Sequence, residues 1–285
     1  MTTTRLTTRR VEKVWGRRDL WPGFADAAPD AEPIGEIWFE DPRANRLASD
    51  PDLLVKYLFT AEKLSVQVHP DDGKARAMGL PRGKDEAWIV LAAEPRATIG
   101  MGLREVMTAD ELRAAALDGS IEHRLDWRPV KPGDVYYSPS GTIHAIGAGV
   151  TLVEVQQNSD TTFRLYDYGR PRELHLEESI AAADPVPYVA PHVARELSAG
   201  RTLLCDGPAF VLERWTGAHR VELPAGGGPV WLIPLAGTGR ADDAELSAGG
   251  TWLVEGGGRM ALDFDSDVLV AYSGGTVMTL PDTRT

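Results

Sequence analysis

Short apolar runs separated by turn residues occupy most of this chain. EAWIVLA (86–92), DVYYSP (134–139), TLVEVQ (151–156), AFVLERW (209–215), VWLIPL (230–235) and TWLVEG (251–256) are separated by stretches punctuated with Gly and Pro. Many short strands at this spacing predict a mainly β fold of the sandwich or barrel kind. Two stretches have helical patterning instead. In TADELRAAALDG (108–119), Thr108 as N-cap with Glu111 three residues on forms a capping box, and Gly119 supplies the stop. ELHLEESIAAAD (173–184) is a second helix candidate, and PDLLVKYLFTAEK (51–63) fits either type.

The runs also echo one another. KPGDVYYSPSG (131–141) matches SAGGTWLVEGG (247–257) in a glycine, a four-residue apolar strand and a closing small-residue turn; EAWIVLAAEPRATIG (86–100) resembles PVWLIPLAGTGRAD (229–242). The expectation is two related β-barrel units with a few short helices, covering 1–185 and 186–285 and meeting in the proline-rich ADPVPYVAPHVA (183–194).

Composition narrows the function classes. With 285 residues, 43% of them hydrophobic, the chain can bury a substantial core. A formal charge of −12 disfavours a nucleic-acid or anionic-membrane surface, so an anionic ligand must be small and locally held. The single cysteine, Cys205, excludes an internal disulfide and a cysteine-rich zinc site; a cytoplasmic location is expected, with no export signal or membrane anchor. Assembly is expected to go no further than a monomer or weak homo-oligomer.

Candidate chemistry lies in the first unit. In KLSVQVHPDDGKA (63–75), alternation puts Ser65, Gln67 and His69 on one strand face and Leu64, Val66 and Val68 on the other, and Pro70 ends the strand. In GKDEAWIVL, Lys84, Glu86 and Trp88 share a face. Taken singly, each is equally a wet strand end or a solvated hairpin edge. GDVYYSPSGTIHA adds Gly133, Pro139, Gly141 and His144 at G-x5-P-x-G-x2-H spacing.

That spacing resembles the second signature of the cupin superfamily, although Ala148 stands where its asparagine is usual and the first signature's His-x-His is missing. LSVQVHPDD, GKDEAWIVL, SPSGTIHAI and LVEVQQNSDTTFRLYDYGR together resemble the class I phosphomannose isomerases in their short bacterial form. The similarity is strongest over 53–172, reaches back to EKVWG and IGEIWFEDP, and fades in the C-terminal third. The resemblance implies one zinc ion per chain held by Gln67, His69, Glu86 and His144, and interconversion of mannose 6-phosphate and fructose 6-phosphate through an enediolate. It further implies Glu154 as the base and Arg164 as stabiliser of the developing charge or binder of phosphate. Lys84 is a further catalytic candidate, and Ser65, Lys84, Arg164 and Arg170 are the expected phosphate donors. Two alternatives stay open: another cupin enzyme, such as a different sugar isomerase or an iron dioxygenase using the same residues, and a non-catalytic sugar-binding cupin. The second unit, with VEGGGRMALD in the place of PSGTIHA, is expected to bind no metal.

Overall fold

The computed structural model describes residues 1–21, 23–44 and 51–280. The first half of the chain runs β1 (Thr2–Arg5), β2 (Thr7–Arg17), β3 (Ile34–Glu40), β4 (Leu53–Phe59), β5 (Val66–Val68), α1 (Asp72–Ala77), β6 (Glu86–Ala93), β7 (Thr98–Leu103), α2 (Ala109–Asp118), α3 (Ile121–Arg124), β8 (Leu125–Pro129), β9 (Val135–Ser138), β10 (His144–Ile146), β11 (Val150–Gln157), β12 (Phe163–Tyr166) and α4 (Leu176–Ala182). The rest is all strand: β13 (Arg195–Ser198), β14 (Arg201–Asp206), β15 (Phe210–Thr216), β16 (His219–Leu223), β17 (Val230–Ala236), β18 (Thr238–Ala241), β19 (Ala244–Ser247), β20 (Trp252–Glu255), β21 (Gly258–Leu262) and β22 (Asp267–Ser273). The fold is mainly β, as the run pattern requires.

Strand order exposes the repeat. One sheet runs β2-β3-β4-β11-β6-β9 and another β13-β14-β15-β22-β17-β20-β1; the second layers run β12-β5-β10-β7-β8 and β16-β21-β18-β19. Moving eleven strands along the chain converts β4-β11-β6-β9 into β15-β22-β17-β20, and β5-β10-β7-β8 into β16-β21-β18-β19. Eight consecutive strands therefore follow the same path twice, which the sequence echo reported through β6 with β9 and β17 with β20. The chain divides into two compact units, one of Met1–Arg9, Trp38–Val55 and His192–Thr285, the other of Arg10–Ile37 and Lys56–Pro191. The N-terminal strand thus joins the second half, β1 pairing with β20.

Local chemistry accounts for the elements around the first repeat. PDLLVKYLFTAEK is a strand, because all seven residues of β4 are buried and a short run covered on both faces suits a central strand. Helix α2 carries the capping box: Glu111 N donates to Thr108 Oγ1 at 3.2 Å and Thr108 N to Glu111 Oε2 at 2.7 Å. Gly119 ends it at φ 80°, a left-handed conformation that favours glycine. Val66 and Val68 of β5 bury against Leu112, Ala115 and Ala116 of α2 and Ala182 of α4. The helices therefore back the apolar face of β5, leaving its other face for Gln67. Leu64 departs from the simple alternation: it precedes the strand proper and packs with Trp15, Trp88 and Ile99.

Candidate metal centre

Three neighbouring strands bring the polar residues together. Gln67 on β5 sits opposite His144 on β10 in an antiparallel pair, and Arg164 on β12 sits opposite Gln67 from the other side. Glu86 opens β6, with Ser138 and Gln156 as its cross-strand partners. His69 follows β5, where Pro70 diverts the chain.

His69, Glu86 and His144 are almost wholly buried, at 2%, 1% and 0% exposure, and their ligand atoms lie within 4.8 Å of one another. His69 Nε2 stands 3.3 Å from Glu86 Oε1 and His144 Nε2 3.6 Å from Glu86 Oε2. Each imidazole has its other nitrogen tied back: His69 Nδ1 donates to the Thr161 carbonyl at 2.9 Å, and His144 Nδ1 to the Thr142 carbonyl at 3.0 Å. These bonds put the protons on Nδ1 and turn both Nε2 lone pairs inward, the arrangement that orients histidine ligands. Gln67 Nε2 lies 3.2 Å from His144 Nε2, and a half-turn of the amide presents its oxygen at the same point.

His69 Nε2 and both carboxylate oxygens of Glu86 are buried and receive no hydrogen bond of good geometry. Lys84 Nζ stands 3.1 Å from Glu86 Oε1 as an ion pair. Burial, reinforced by Lys84, pushes the His69 imidazole down to about 3, and burial also lowers His144. For Glu86 the penalty of burial is outweighed by Lys84 and the two histidines, which hold its carboxyl well below the usual range. Two neutral imidazoles and a carboxylate, with orphaned lone pairs converging, are a donor set that fits a divalent cation. Among the described residues this is the one such cluster of His, Cys, Asp and Glu.

Through Glu86 the cluster borders a cavity of about 240 Å³, with the two histidines buried behind it. Ser65, Gln67, Lys84, Glu86, Glu154 and Arg164, all singled out from the sequence, line it. Glu154 takes a hydrogen bond from Trp88 Nε1 at 2.9 Å, and Lys56 Nζ stands 3.5 Å from its other oxygen. Burial first, and then the Glu86 charge, raise the Glu154 carboxyl to about 7. Arg170 is not among the lining residues: its guanidinium holds Asp167 Oδ1 at 2.7 Å and the Lys63 carbonyl at 2.8 Å. Tyr166 and Tyr168 pack against each other, rings 5.2 Å apart, beside the helix cluster.

A relative 36% identical over 219 residues, 73% of this chain and 69% of its own length, is the mannose-6-phosphate isomerase of Streptococcus mutans. This chain belongs to the mannose-6-phosphate isomerase family. The mannose-6-phosphate isomerase ManA of Bacillus subtilis matches at 45% identity over 135 residues, 45% of this chain and 42% of that protein. The crystal structure of the mannose 6-phosphate isomerase from Bacillus subtilis superposes with a TM-score of 0.81 at 27% identity, covering 95% of this chain and all of that one. A putative mannosephosphate isomerase from Archaeoglobus fulgidus shares the fold, with a TM-score of 0.71 at 19% identity over 95% of this chain and 97% of that one. No family model matches the chain.

Within this isomerase fold the cavity also contains residues that the sequence reading passed over. Lys13 Nζ pairs with Glu36 Oε1 at 3.2 Å, and Lys56 Nζ stands 3.9 Å from Glu36 Oε2, so a chain of alternating charge crosses β2, β3 and β4 to Glu154 on β11. The available signal was a lysine inside the otherwise apolar LLVKYLF and a glutamate inside IGEIWFE. Arg172 also lines the cavity.

The second repeat gives the complementary result. Met260 has Val221 and Ala241 as cross-strand partners, as His144 has Gln67 and Met101; Val230 has Val254 and Tyr272, as Glu86 has Ser138 and Gln156. Val221, Leu223, Val230 and Met260 therefore occupy the places of Gln67, His69, Glu86 and His144. All four belong to or pack against one apolar cluster. Hydrocarbon fills there what the first repeat leaves for polar ligands.

Proposed function

We infer that this chain interconverts mannose 6-phosphate and fructose 6-phosphate at a zinc centre held by Gln67, His69, Glu86 and His144. The observation that carries this reading is the buried His69–Glu86–His144 cluster, in which His69 Nε2 and both Glu86 oxygens lack hydrogen-bond partners, bordering a cavity through Glu86 in a member of this family. Moving a proton between adjacent carbons of a sugar leaves no net oxidation or reduction, so a redox-inactive ion suits the step. A bound zinc supplies Lewis-acid stabilisation of the negative charge that develops on the sugar oxygens.

The chain's own residues handle protons and position. Glu154, with a carboxyl raised to about 7, is poised to take and return a proton near neutral pH, and Trp88 and Lys56 fix its orientation. Lys84, kept charged by Glu86 and Glu154 against the cost of its burial, offers a cationic donor beside the cluster, with Thr162 Oγ1 3.4 Å from its Nζ. Arg164 adds a guanidinium one strand from Gln67, and Ser65 a hydroxyl. Ser65, Gln67, Lys84, Glu86, Glu154 and Arg164 line the cavity that would receive the sugar. The His–Glu–His set alone also suits an iron site; such a protein would carry iron and consume oxygen.

A coupled assay of mannose 6-phosphate turnover, run before and after chelation and again with zinc restored, tests this reading. Turnover is expected to vanish on chelation and to return with zinc. Turnover indifferent to chelation contradicts it.

A further inference from the structure

The cations of the cavity fall into two groups. Lys84, Lys56 and Lys13 are matched by Glu86, Glu154 and Glu36. Arg164 makes no ion pair with a carboxylate among the described residues: its Nη1 donates to the Glu173 carbonyl at 2.7 Å, and its Nε is buried with no partner. Arg172 spends two nitrogens on one buried carboxylate, Nε to Asp167 Oδ2 at 2.6 Å and Nη2 to Asp167 Oδ1 at 2.7 Å. Its Nη1 has no partner among the described residues. Asp167 is also shared with Arg170, so two guanidinium groups converge on one buried carboxylate, with Arg164 close by. In a chain of net charge −12, this corner carries a local surplus of positive charge.

The corner is also held rigidly. Arg164 N donates to His175 Nδ1 at 3.2 Å and His175 N to the Arg164 carbonyl at 2.8 Å, which fixes the backbone of β12 to the loop carrying Arg172. Desolvation and the neighbouring Arg172 both lower the proton affinity of Arg164, as expected for cations crowded without enough anion. Across β12-β5-β10, Arg164, Gln67 and His144 are in register, spaced by about 5 Å per strand. A six-carbon sugar with its reacting end at Gln67 and His144 spans that separation to place its far end at the arginines.

The geometry points to Arg172, held in place by Asp167, as the residue that reads the substrate's phosphate, acting beside Arg164. This inference rests on the sugar-phosphate reading above. Asp167 takes two of the five donors and leaves the Nη1 edge for the ligand, a pre-set fork that suits phosphate oxygens. Arg170 has the same carboxylate partner but spends its remaining contacts on the Lys63 carbonyl and Glu62, away from the cavity wall.

Calorimetric titration with inorganic phosphate, alongside steady-state kinetics on mannose 6-phosphate, tests the assignment in Arg172→Gln and Arg172→Lys. In Arg172→Gln, phosphate affinity is expected to fall by at least about tenfold and KM to rise by a similar factor, with kcat within about threefold of the parent. Arg172→Lys, which restores the charge without the fork, is expected to recover part of the loss. Unchanged phosphate affinity and KM in Arg172→Gln overturn the assignment while leaving the isomerase reading intact. A drop in kcat at constant KM also overturns it. Phosphate binding that depends on Arg172 in a protein inactive toward mannose 6-phosphate supports the anion site and refutes the isomerase reading instead.

Discussion

Glu154 shows how much a single position depends on its surroundings. Its carboxyl is raised by burial and by the Glu86 and Glu36 charges and lowered by Lys56 and Lys84, so the balance near pH 7 is set by groups remote in sequence. As a base, Glu154 must be ionised, and kcat/KM is expected to fall on the acid side of neutrality as it takes up a proton. Removing the Lys56 charge takes away a stabiliser of the ionised form. In Lys56→Met the acid limb of the pH–rate profile should therefore move to higher pH, and the variant should lose about 3 kcal/mol of stability because Glu154 and Glu36 lose a buried partner. A limb that stays in place, measured on metal-loaded enzyme, contradicts the role of Glu154 as base. The polar residues at 65, 67, 69, 86 and 144 were legible in sequence because strand alternation and the G-x5-P-x-G-x2-H spacing are local patterns. Lys56, Glu36 and Arg172 were not: their meaning comes from the adjacency of β3, β4 and β11 and from a loop folding back on β12.

Among the elements, α2 was fully readable from Thr108, Glu111 and Gly119, since capping is decided within one turn. What the sequence left open was its place relative to the pocket. Packing on Val66 and Val68 puts it behind β5, and none of its residues lines the cavity. Thr108→Ala is thus expected to lower stability by about 1 kcal/mol in denaturant titration, with kcat and KM unchanged. Altered kinetics in that variant would mean that the helix shapes the pocket after all. The strand β4 was ambiguous for a physical reason: seven buried residues in a row carry no periodicity to separate helix from strand. In the same way, the donors of β5 depend on Pro70 ending the strand, a local signal, while the role of β12 as the arginine-bearing neighbour depends on pairing across about one hundred residues.

For the molecule as a whole, one eight-strand path is used twice with opposite polarity at its centre. The first copy buries His69, Glu86 and His144, with His69 Nε2 and both Glu86 oxygens left without hydrogen-bond partners, and the second places Val221, Leu223, Val230 and Met260 at the positions of Gln67, His69, Glu86 and His144. The sequence echo pointed to this repetition. The return of β1 to pair with β20 was not visible, because nothing local to TTTR specifies a partner some 250 residues away. No helix among the described residues is long and apolar enough to cross a membrane. If the first copy alone holds a catalytic metal, stoichiometry and activity must fall together when one ligand is removed. The most direct measurement is the metal content of purified wild type and His144→Ala, taken with their turnover of mannose 6-phosphate and their circular dichroism. The account predicts one divalent ion per wild-type chain, and a folded variant with little metal and turnover reduced at least about a thousandfold. A folded His144→Ala protein that keeps its ion, or isomerises at the wild-type rate without one, would contradict it.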